Sequence, residues 1–244
     1  MIAIQTENLT KSYKNRIAVN NLNLSVNHGE LFALLGINGA GKTTTIKMLS
    51  CLVKPTKGDA LILGNSIVSN PFKVKEIINV APQEIAISPN LSVRENLELM
   101  AQLYGNDRKS SKEKVNEIIF SFGLMNVAGD KASILSGGWK RRLNIAMALI
   151  SEPQVLFLDE PTIGLDVFAR RELWSVIKEM KGRVTIMLTT HYLEEAVSLA
   201  DRIGIMVKGE LKEVGTAKEL MEKTGRESFE DAFIAISSDR GAYI

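Results

Sequence analysis

The chain is short of cysteine, histidine and long apolar runs. Its 244 residues include one cysteine and two histidines. The lone Cys51 cannot form a disulfide within the chain, and the apolar pattern around it, with Ile46 and Leu49, predicts a small buried core residue. The longest unbroken apolar run, counting Gly36, spans residues 31–37. A membrane-spanning helix needs about 20 such residues, so the sequence predicts none.

An excess of one sign of charge is also missing. Lysine and arginine together number 30 against 28 aspartates and glutamates, for a net charge of +2. Nucleic-acid-binding domains carry a clear basic excess, so no nucleic-acid partner is expected. The first seven residues lack a basic segment followed by an apolar one. We therefore expect a soluble, intracellular protein that reaches a membrane only through a partner, with enough residues for one large domain or two small ones.

The strongest local pattern is a glycine-rich turn between an apolar run at 31–35 and a helical pattern at 43–52. It fits G-x-x-x-x-G-K-[ST], in which backbone N–H groups face an anion, Lys42 supplies a cation for the β- and γ-phosphates, and Thr43 offers a hydroxyl to Mg²⁺. The candidate contacts are Gly36, Asn38, Gly39, Ala40, Gly41, Lys42, Thr43 and Thr44. Because the motif requires a strand before it and a helix after it, nucleotide binding is favoured over a plain connecting loop.

Residues 2–9 and 17–26 alternate apolar and polar positions, which predicts two antiparallel strands with one solvated face. Tyr13 lies between them. An aromatic ring there could stack on a base or could simply pack against the strands.

Three continuous apolar runs, at 77–80, 154–158 and 184–188, predict buried strands, each followed by polar residues. After the second run, Asp159 could hold Mg²⁺ through water, and Glu160 could orient or deprotonate the water that attacks the γ-phosphate. Gln83 follows the first run, either as a turn residue or as a ligand of Mg²⁺ or of that water. His191 follows the third, either as a phosphate or water contact or as a structural cap.

Residues 91–150 have a helical character. Ser92 and Glu95 have the spacing of a capping box, and apolar stripes recur at 112–122 and 136–150. The last stripe begins at Ser136-Gly137-Gly138. These three residues are either a loop with a helix cap or a second anion site, because a helix N-terminus with glycines and a hydroxyl suits a phosphate.

In this order, Lys42, Gln83, Ser136-Gly137-Gly138, Asp159-Glu160, Asp166 and His191 resemble the nucleotide-binding subunit of ATP-binding-cassette (ABC) transporters over nearly the whole chain. The resemblance assigns Tyr13 as the adenine-stacking aromatic, 36–43 as the Walker A loop, Gln83 as the Q-loop glutamine, 135–138 as the signature, 155–160 as the Walker B strand, 164–166 as the D-loop and His191 as the switch histidine.

The resemblance implies an α/β fold: a P-loop NTPase core with a mixed or parallel sheet, an N-terminal antiparallel β-subdomain and an inserted helical subdomain. One ABC ATPase domain would span 1–244. Residues 1–88 and 152–215 would form the RecA-like core and the β-subdomain, 89–151 the helical subdomain, and 216–244 short C-terminal helices.

The resemblance also implies the cofactors ATP and Mg²⁺ and a role for each site residue. The catalytic groups would be Lys42, Gln83, Glu160 and His191, with Thr43, Gln83 and Asp159 on the metal. Asp166 and Ser136 to Gly138 would complete the nucleotide site. Two positions depart from the family pattern, with Trp139 in place of a glutamine after the signature and Val167 in place of a proline after the D-loop.

The implied partners are a second ABC ATPase subunit, placed head to tail so that two ATP are sandwiched, and an integral membrane permease. The location would be cytoplasmic, peripheral on the cytoplasmic face of the cell membrane. Residues 189–196 and 199–203 look like the ATPases of drug-resistance exporters.

Two alternatives are disfavoured. A soluble ABC protein acting on ribosomes or nucleic acid would usually have tandem cassettes or long coiled-coil or basic insertions. A nucleotide sensor without turnover would not need Glu160 and His191.

Overall fold

The computed structural model describes residues 1–14, 16–105 and 107–238, which form two β-sheets and the helices that cover them. The larger sheet has the strand order β10-β9-β3-β8-β7-β6. Its strands are β3 (Leu31–Leu35), β6 (Ile78–Ala81), β7 (Val155–Asp159), β8 (Thr185–Thr190), β9 (Arg202–Val207) and β10 (Glu210–Gly215).

Five of these six strands run parallel, and only β10 is antiparallel to its neighbour. Every residue of β3, β7 and β8 is buried, as their continuous apolar runs predict for a sheet covered on both faces. In register, Leu35 pairs with Thr190 and Asp159 with Thr189. The loops after β3, β6, β7 and β8 therefore leave the sheet at the same edge.

The smaller sheet is antiparallel, with the order β2-β1-β4-β5. Its strands are β1 (Ile2–Tyr13), β2 (Arg16–Asn27), β4 (Lys57–Ile62) and β5 (Asn65–Ser66). The first two continue beyond the segments that alternation predicts, which puts Tyr13 at the very end of β1. The predicted α/β fold with an N-terminal antiparallel sheet is confirmed.

The two faces of the larger sheet bury different apolar clusters, because successive side chains of a strand point to opposite faces. Leu31, Ala33 and Leu35 of β3 belong to the cluster that includes the helical segment. Phe32 and Leu34 belong to the cluster shared with the antiparallel sheet. The central strand thus joins both layers of the core.

The remaining elements are helices. They are α1 (Lys42–Leu49), α2 (Pro71–Ile77), α3 (Val93–Leu103), α4 (Arg108–Ser121), α5 (Gly137–Leu149), α6 (Val167–Glu179), α7 (Leu193–Leu199), α8 (Ala217–Thr224) and α9 (Phe229–Ser237). The chain inserts α3, α4 and α5 between the adjacent strands β6 and β7. Of the C-terminal segment predicted at 216–244, residues 239–244 lie outside the described residues.

Four local details differ from the sequence predictions. Helix α1 ends before Cys51, whose φ of 58° stops the helix. Cys51 is partly buried at the edge of the core, so its assignment as a buried core residue is wrong. Helix α2 has no counterpart among the predicted elements. Ser136 does precede α5, but its side chain makes no capping hydrogen bond.

The capping box at the start of α3 is present: Ser92 Oγ accepts from Glu95 N at 3.2 Å, and Ser92 N donates to Glu95 Oε2 at 2.7 Å. We expect Ser92→Ala to lower the free energy of unfolding by about 1 kcal/mol, because it leaves the amide of Glu95 without its acceptor. Urea denaturation measures this loss. The matched control is Ser175→Ala, at an exposed position within α6, which should change stability by less than about 0.5 kcal/mol. Equal effects would contradict the capping role.

Candidate nucleotide-binding and hydrolysis site

A cavity of about 550 Å³ lies beside the glycine-rich turn. It is lined by Tyr13, Arg16, Ala18, Asn38, Gly39, Ala40, Gly41, Lys42, Thr43, Thr44, Gln83, Glu160 and Ile163. Residues from the antiparallel sheet, from the turn before α1 and from the loops after β6 and β7 therefore share one cavity. Arg16 was not predicted from the sequence, where a single arginine beside a strand carries no signal. Its Nη2 is 3.5 Å from Gly39 O.

The turn packs so closely that two of its positions require glycine. A Cβ at Gly36 would lie 2.4 Å from Met206 O, and one at Gly41 would lie 2.4 Å from Ala18 O. Gly41 also has a φ of 108°, in the region that glycine favours. The turn thus packs between β9 and β2, and these contacts fix its backbone beside the cavity.

Lys42 is buried at the base of this turn. Its Nζ donates to Gly36 O at 2.6 Å and to Ile37 O at 3.2 Å, and it forms an ion pair with Glu160 Oε1 at 3.1 Å. The ammonium therefore joins the loop after β3 to the loop after β7. The motif predicts the position of Lys42 but not this pairing.

Glu160 contacts both Lys42 and His191 through its side chain. Its Oε2 lies 2.8 Å from His191 Nδ1, which must carry the hydrogen because a carboxylate can only accept. The backbone of Glu160 has a φ of 49°, which is uncommon for a residue with a side chain and is found at functional sites. Its N–H donates to both the carbonyl and the hydroxyl oxygen of Thr189, each at 3.1 Å. Lys42, Glu160 and His191 thus form one hydrogen-bonded series, in which Lys42 and Glu160 are buried and His191 is partly exposed.

Asp159 and Thr43 supply a pair of hard oxygen ligands. Thr43 Oγ1 donates to Asp159 Oδ1 at 3.0 Å, and Thr189 Oγ1 donates to the same oxygen at 2.6 Å. The described residues contain no cluster of three or more His, Cys, Asp or Glu side chains that could enclose a metal alone. Mg²⁺ is typically held by one or two protein oxygens together with water and phosphate oxygens, so this set fits Mg²⁺ and not an all-protein metal site. Thr189 was not predicted.

Ser136, Gly137, Gly138 and Asp166 are not among the residues that line the cavity. They lie near one another, since a Cβ at Gly138 would be 3.1 Å from Ala169 Cβ in the first turn of α6. Asp166 Oδ1 accepts from Phe168 N and Ala169 N and so caps α6. Within one chain, the signature and the D-loop aspartate therefore do not join Lys42.

Glu195 lies beneath the ends of β7 and β8 and is fully buried. Trp174 Nε1 donates to its Oε1 at 3.0 Å. Burial raises the pKa of this carboxyl, an effect that the nearby hydroxyls of Thr190 and Thr162 and the hydrogen bond from Trp174 partly offset and the charge of Glu160 reinforces. Neither position nor spacing in the sequence distinguishes Glu195 from the exposed Glu194 beside it.

The sequence model of the ABC transporter family matches residues 19–163, which include the glycine-rich turn, Gln83, the signature, Asp159 and Glu160. The chain belongs to the ABC transporter family. The resemblance inferred from the motifs is confirmed, and this member of the ABC family is an ATP-binding ATPase domain.

Two curated relatives of this ABC protein match most of its length. The linearmycin resistance ATP-binding protein LnrL of Bacillus subtilis is 40% identical over 91% of this chain and 72% of its own length. The daunorubicin/doxorubicin resistance ATP-binding protein DrrA of Streptomyces peucetius is 39% identical over 91% of this chain and 68% of its own. Other ABC relatives are much longer, and the chain covers as little as 12% of their length.

The ABC fold is confirmed by a solved structure that is 27% identical, with a TM-score of 0.78 over 87% of this chain and 98% of the other. It is described as a dimeric structure of a post-hydrolysis state of the ATP-binding cassette MJ0796, bound to ADP and Pi. Across the described ranges of the present chain, no helix has both the length and the apolarity to cross a membrane.

Glu195 gives this ABC domain a pH-dependent stability. Unfolded glutamates titrate near 4.5, whereas burial keeps the proton on folded Glu195 to a higher pH. Between the two pKa values the folded protein binds more protons than the unfolded chain, so stability falls as pH rises and levels off above the folded pKa. Glu195→Gln removes this loss while keeping an acceptor for Trp174. We expect its melting temperature, relative to wild type, to increase from pH 5 to pH 8.

Calorimetry at several pH values measures the difference in melting temperature between each variant and the wild type. The matched control is Glu194→Gln on the same helix, which makes the same substitution at an exposed position and leaves the buried carboxyl of Glu195 in place. A difference for Glu195→Gln that stays constant or shrinks as pH rises would show that the buried carboxyl is ionised in the folded protein.

Proposed function

We propose that this chain is the subunit of an ABC exporter that binds MgATP, hydrolyses it and drives a separate membrane permease. The observation that supports this most strongly is the hydrogen-bonded series Lys42–Glu160–His191 beside the cavity that the glycine-rich turn lines. In this proposal the cation, the carboxylate and the imidazole surround the position at which water attacks the γ-phosphate.

Each of these groups has a defined task. Lys42 exchanges Glu160 for the β- and γ-phosphates when nucleotide enters, because a phosphate carries more negative charge than one carboxylate. The freed Oε1 of Glu160 can then orient water and accept its proton. His191 would keep Glu160 in place through Oε2 and would contact the γ-phosphate.

Thr43 and Asp159 would hold Mg²⁺, whose chemistry there would be to neutralise the negative charge of the phosphates. Gln83 would reach the same region from the loop after β6, with the metal or the attacking water as its partner. Tyr13, about half exposed at the end of β1, would stack on the adenine, and Asn38 to Thr44 would surround the phosphates.

The site is completed by a second cassette. Ser136, Gly137, Gly138 and Asp166 lie away from the chain's own Lys42, so a second subunit placed head to tail would present them to the γ-phosphate. The membrane permease would place the pair at the cytoplasmic face of the cell membrane. LnrL and DrrA are both named as resistance ATP-binding proteins, which supports an export function over a role on ribosomes or nucleic acid.

We expect Glu160→Gln to lower kcat for ATP hydrolysis by about 10²-fold or more, because the amide cannot accept the proton of water. ATP binding should be retained, and ATP should convert the variant to a dimer. Phosphate release and size-exclusion chromatography measure the two effects. The matched control is Glu179→Gln, at an exposed position of α6, which should keep normal turnover. Undiminished turnover of Glu160→Gln would refute the role of Glu160.

Mixing two inactive variants tests whether a second copy completes the site. Lys42→Ala disables the phosphate cradle, and Gly137→Asp places a carboxylate in the signature, where a Cβ has room. Each variant alone should be inactive. In a mixed dimer one of the two sites receives both intact halves, so an equimolar mixture should recover about a quarter of wild-type activity if chains pair at random. A mixture as inactive as its components would refute the shared site between copies.

A further inference from the structure

Arg141 is a buried cation that the function described above does not use. Its side chain belongs to the second turn of α5 and is 4% exposed. Its Nη1 donates to two main-chain carbonyls, Gln83 O at 2.9 Å and Pro82 O at 3.2 Å. Burial lowers the pKa of the guanidinium, and the charges of Asp159 and Glu195 oppose this shift. Burying this charge is costly, and its hydrogen bonds hold the main chain at Pro82 and Gln83.

Asn144 reinforces the same contact from the next turn of α5. Its Nδ2 donates to Pro82 O at 3.3 Å, and its Oδ1 accepts from Ala86 N at 3.2 Å. Residues three apart on a helix lie on the same face. One face of α5 thus binds both ends of the segment 82–86, which we call the Gln83 loop.

These bonds connect two segments that would both face nucleotide. Arg141 lies only about 7 Å along the helix from Ser136, at 1.5 Å per residue. Since Arg141 and Asn144 bind the backbone of the Gln83 loop, the Gln83 side chain remains free to line the cavity. A shift of the loop toward the cavity must either move α5 with it or break four hydrogen bonds.

We propose that Arg141 and Asn144 are positioning residues that tie the Gln83 loop to the signature end of α5, so that a change at Gln83 on nucleotide binding moves Ser136 to Gly138. The proposal rests on the function proposed above and adds to it the pair of residues that transmits the change. A purely structural role would predict lower stability with the movement of α5 intact.

The chain has two tryptophans, Trp139 and Trp174. Trp139 directly follows Gly138 and so reports on the signature end of α5, while Trp174 reports on α6. The protein is labelled with 5-fluorotryptophan, and Trp139→Phe assigns the two ¹⁹F resonances. MgATP is added to Glu160→Gln protein, in which nucleotide persists, with and without Arg141→Gln. The Asn144→Ala variant gives a second test that does not depend on the folding of Arg141→Gln.

We expect MgATP to displace the Trp139 resonance in the Glu160→Gln protein and Arg141→Gln to reduce this displacement by at least about half. ATP affinity should stay within about threefold, since neither side chain lines the cavity. With Glu160 intact, Arg141→Gln should lower kcat by about fivefold with little change in KM. The matched control is Lys140→Gln, which removes one charge from a side chain whose Nζ donates to Ser133 O; the Trp139 displacement and the kcat of this variant should be normal.

Three results would overturn the proposal. These are a Trp139 resonance that stays in place when ATP binds, a full displacement with normal kcat in both Arg141→Gln and Asn144→Ala, and a loss of ATP affinity as large as the loss of kcat. Failure of the wild-type chain to bind or hydrolyse ATP is a separate outcome, and it would refute the proposed function itself.

Discussion

The ion pair between Lys42 and Glu160 constrains the whole structure, because two charges can share a buried position only when the surrounding atoms satisfy their remaining bonds. Here the carbonyls of Gly36 and Ile37 accept hydrogen bonds from the Lys42 ammonium, and His191 is hydrogen-bonded to the Glu160 carboxylate. Gly36, Ile37, Glu160 and His191 come from loops after parallel strands, and Lys42 begins the helix that follows the first of these loops. The strand order therefore determines whether the pair can form at all.

The same constraint makes the chain responsive to nucleotide. In the proposed function, a phosphate that draws Lys42 away would leave the Glu160 carboxylate, which lines the cavity, bound to His191. One lysine would thus connect nucleotide binding to catalysis. The contacts between α5 and the Gln83 loop extend this connection to a segment that lies outside the cavity.

Motif and pattern predicted much of this arrangement. Continuous apolar runs indicated the buried strands, and polar residues at their ends indicated which loops would meet. Contacts between side chains that are distant in the sequence could not be predicted, because a sequence pattern gives the spacing of residues along the chain and not which residues touch in the fold. The roles of Thr189 and Arg141 arise only from the folded geometry, and nothing in the sequence separates them from neighbouring threonines and arginines.

The position of β3 at the centre of the larger sheet has a consequence for biosynthesis. This strand leads into the phosphate-binding turn, yet its two neighbours, β8 and β9, come from residues 185–190 and 202–207. Gly36 and Gly41 in turn pack against Met206 and Ala18. During synthesis the phosphate-binding turn therefore emerges well before its packing partner Met206. It cannot reach its final position until residues 185–207 have also left the ribosome. Long-range pairing of this kind folds slowly, so the unfinished chain would expose apolar strands for much of its synthesis.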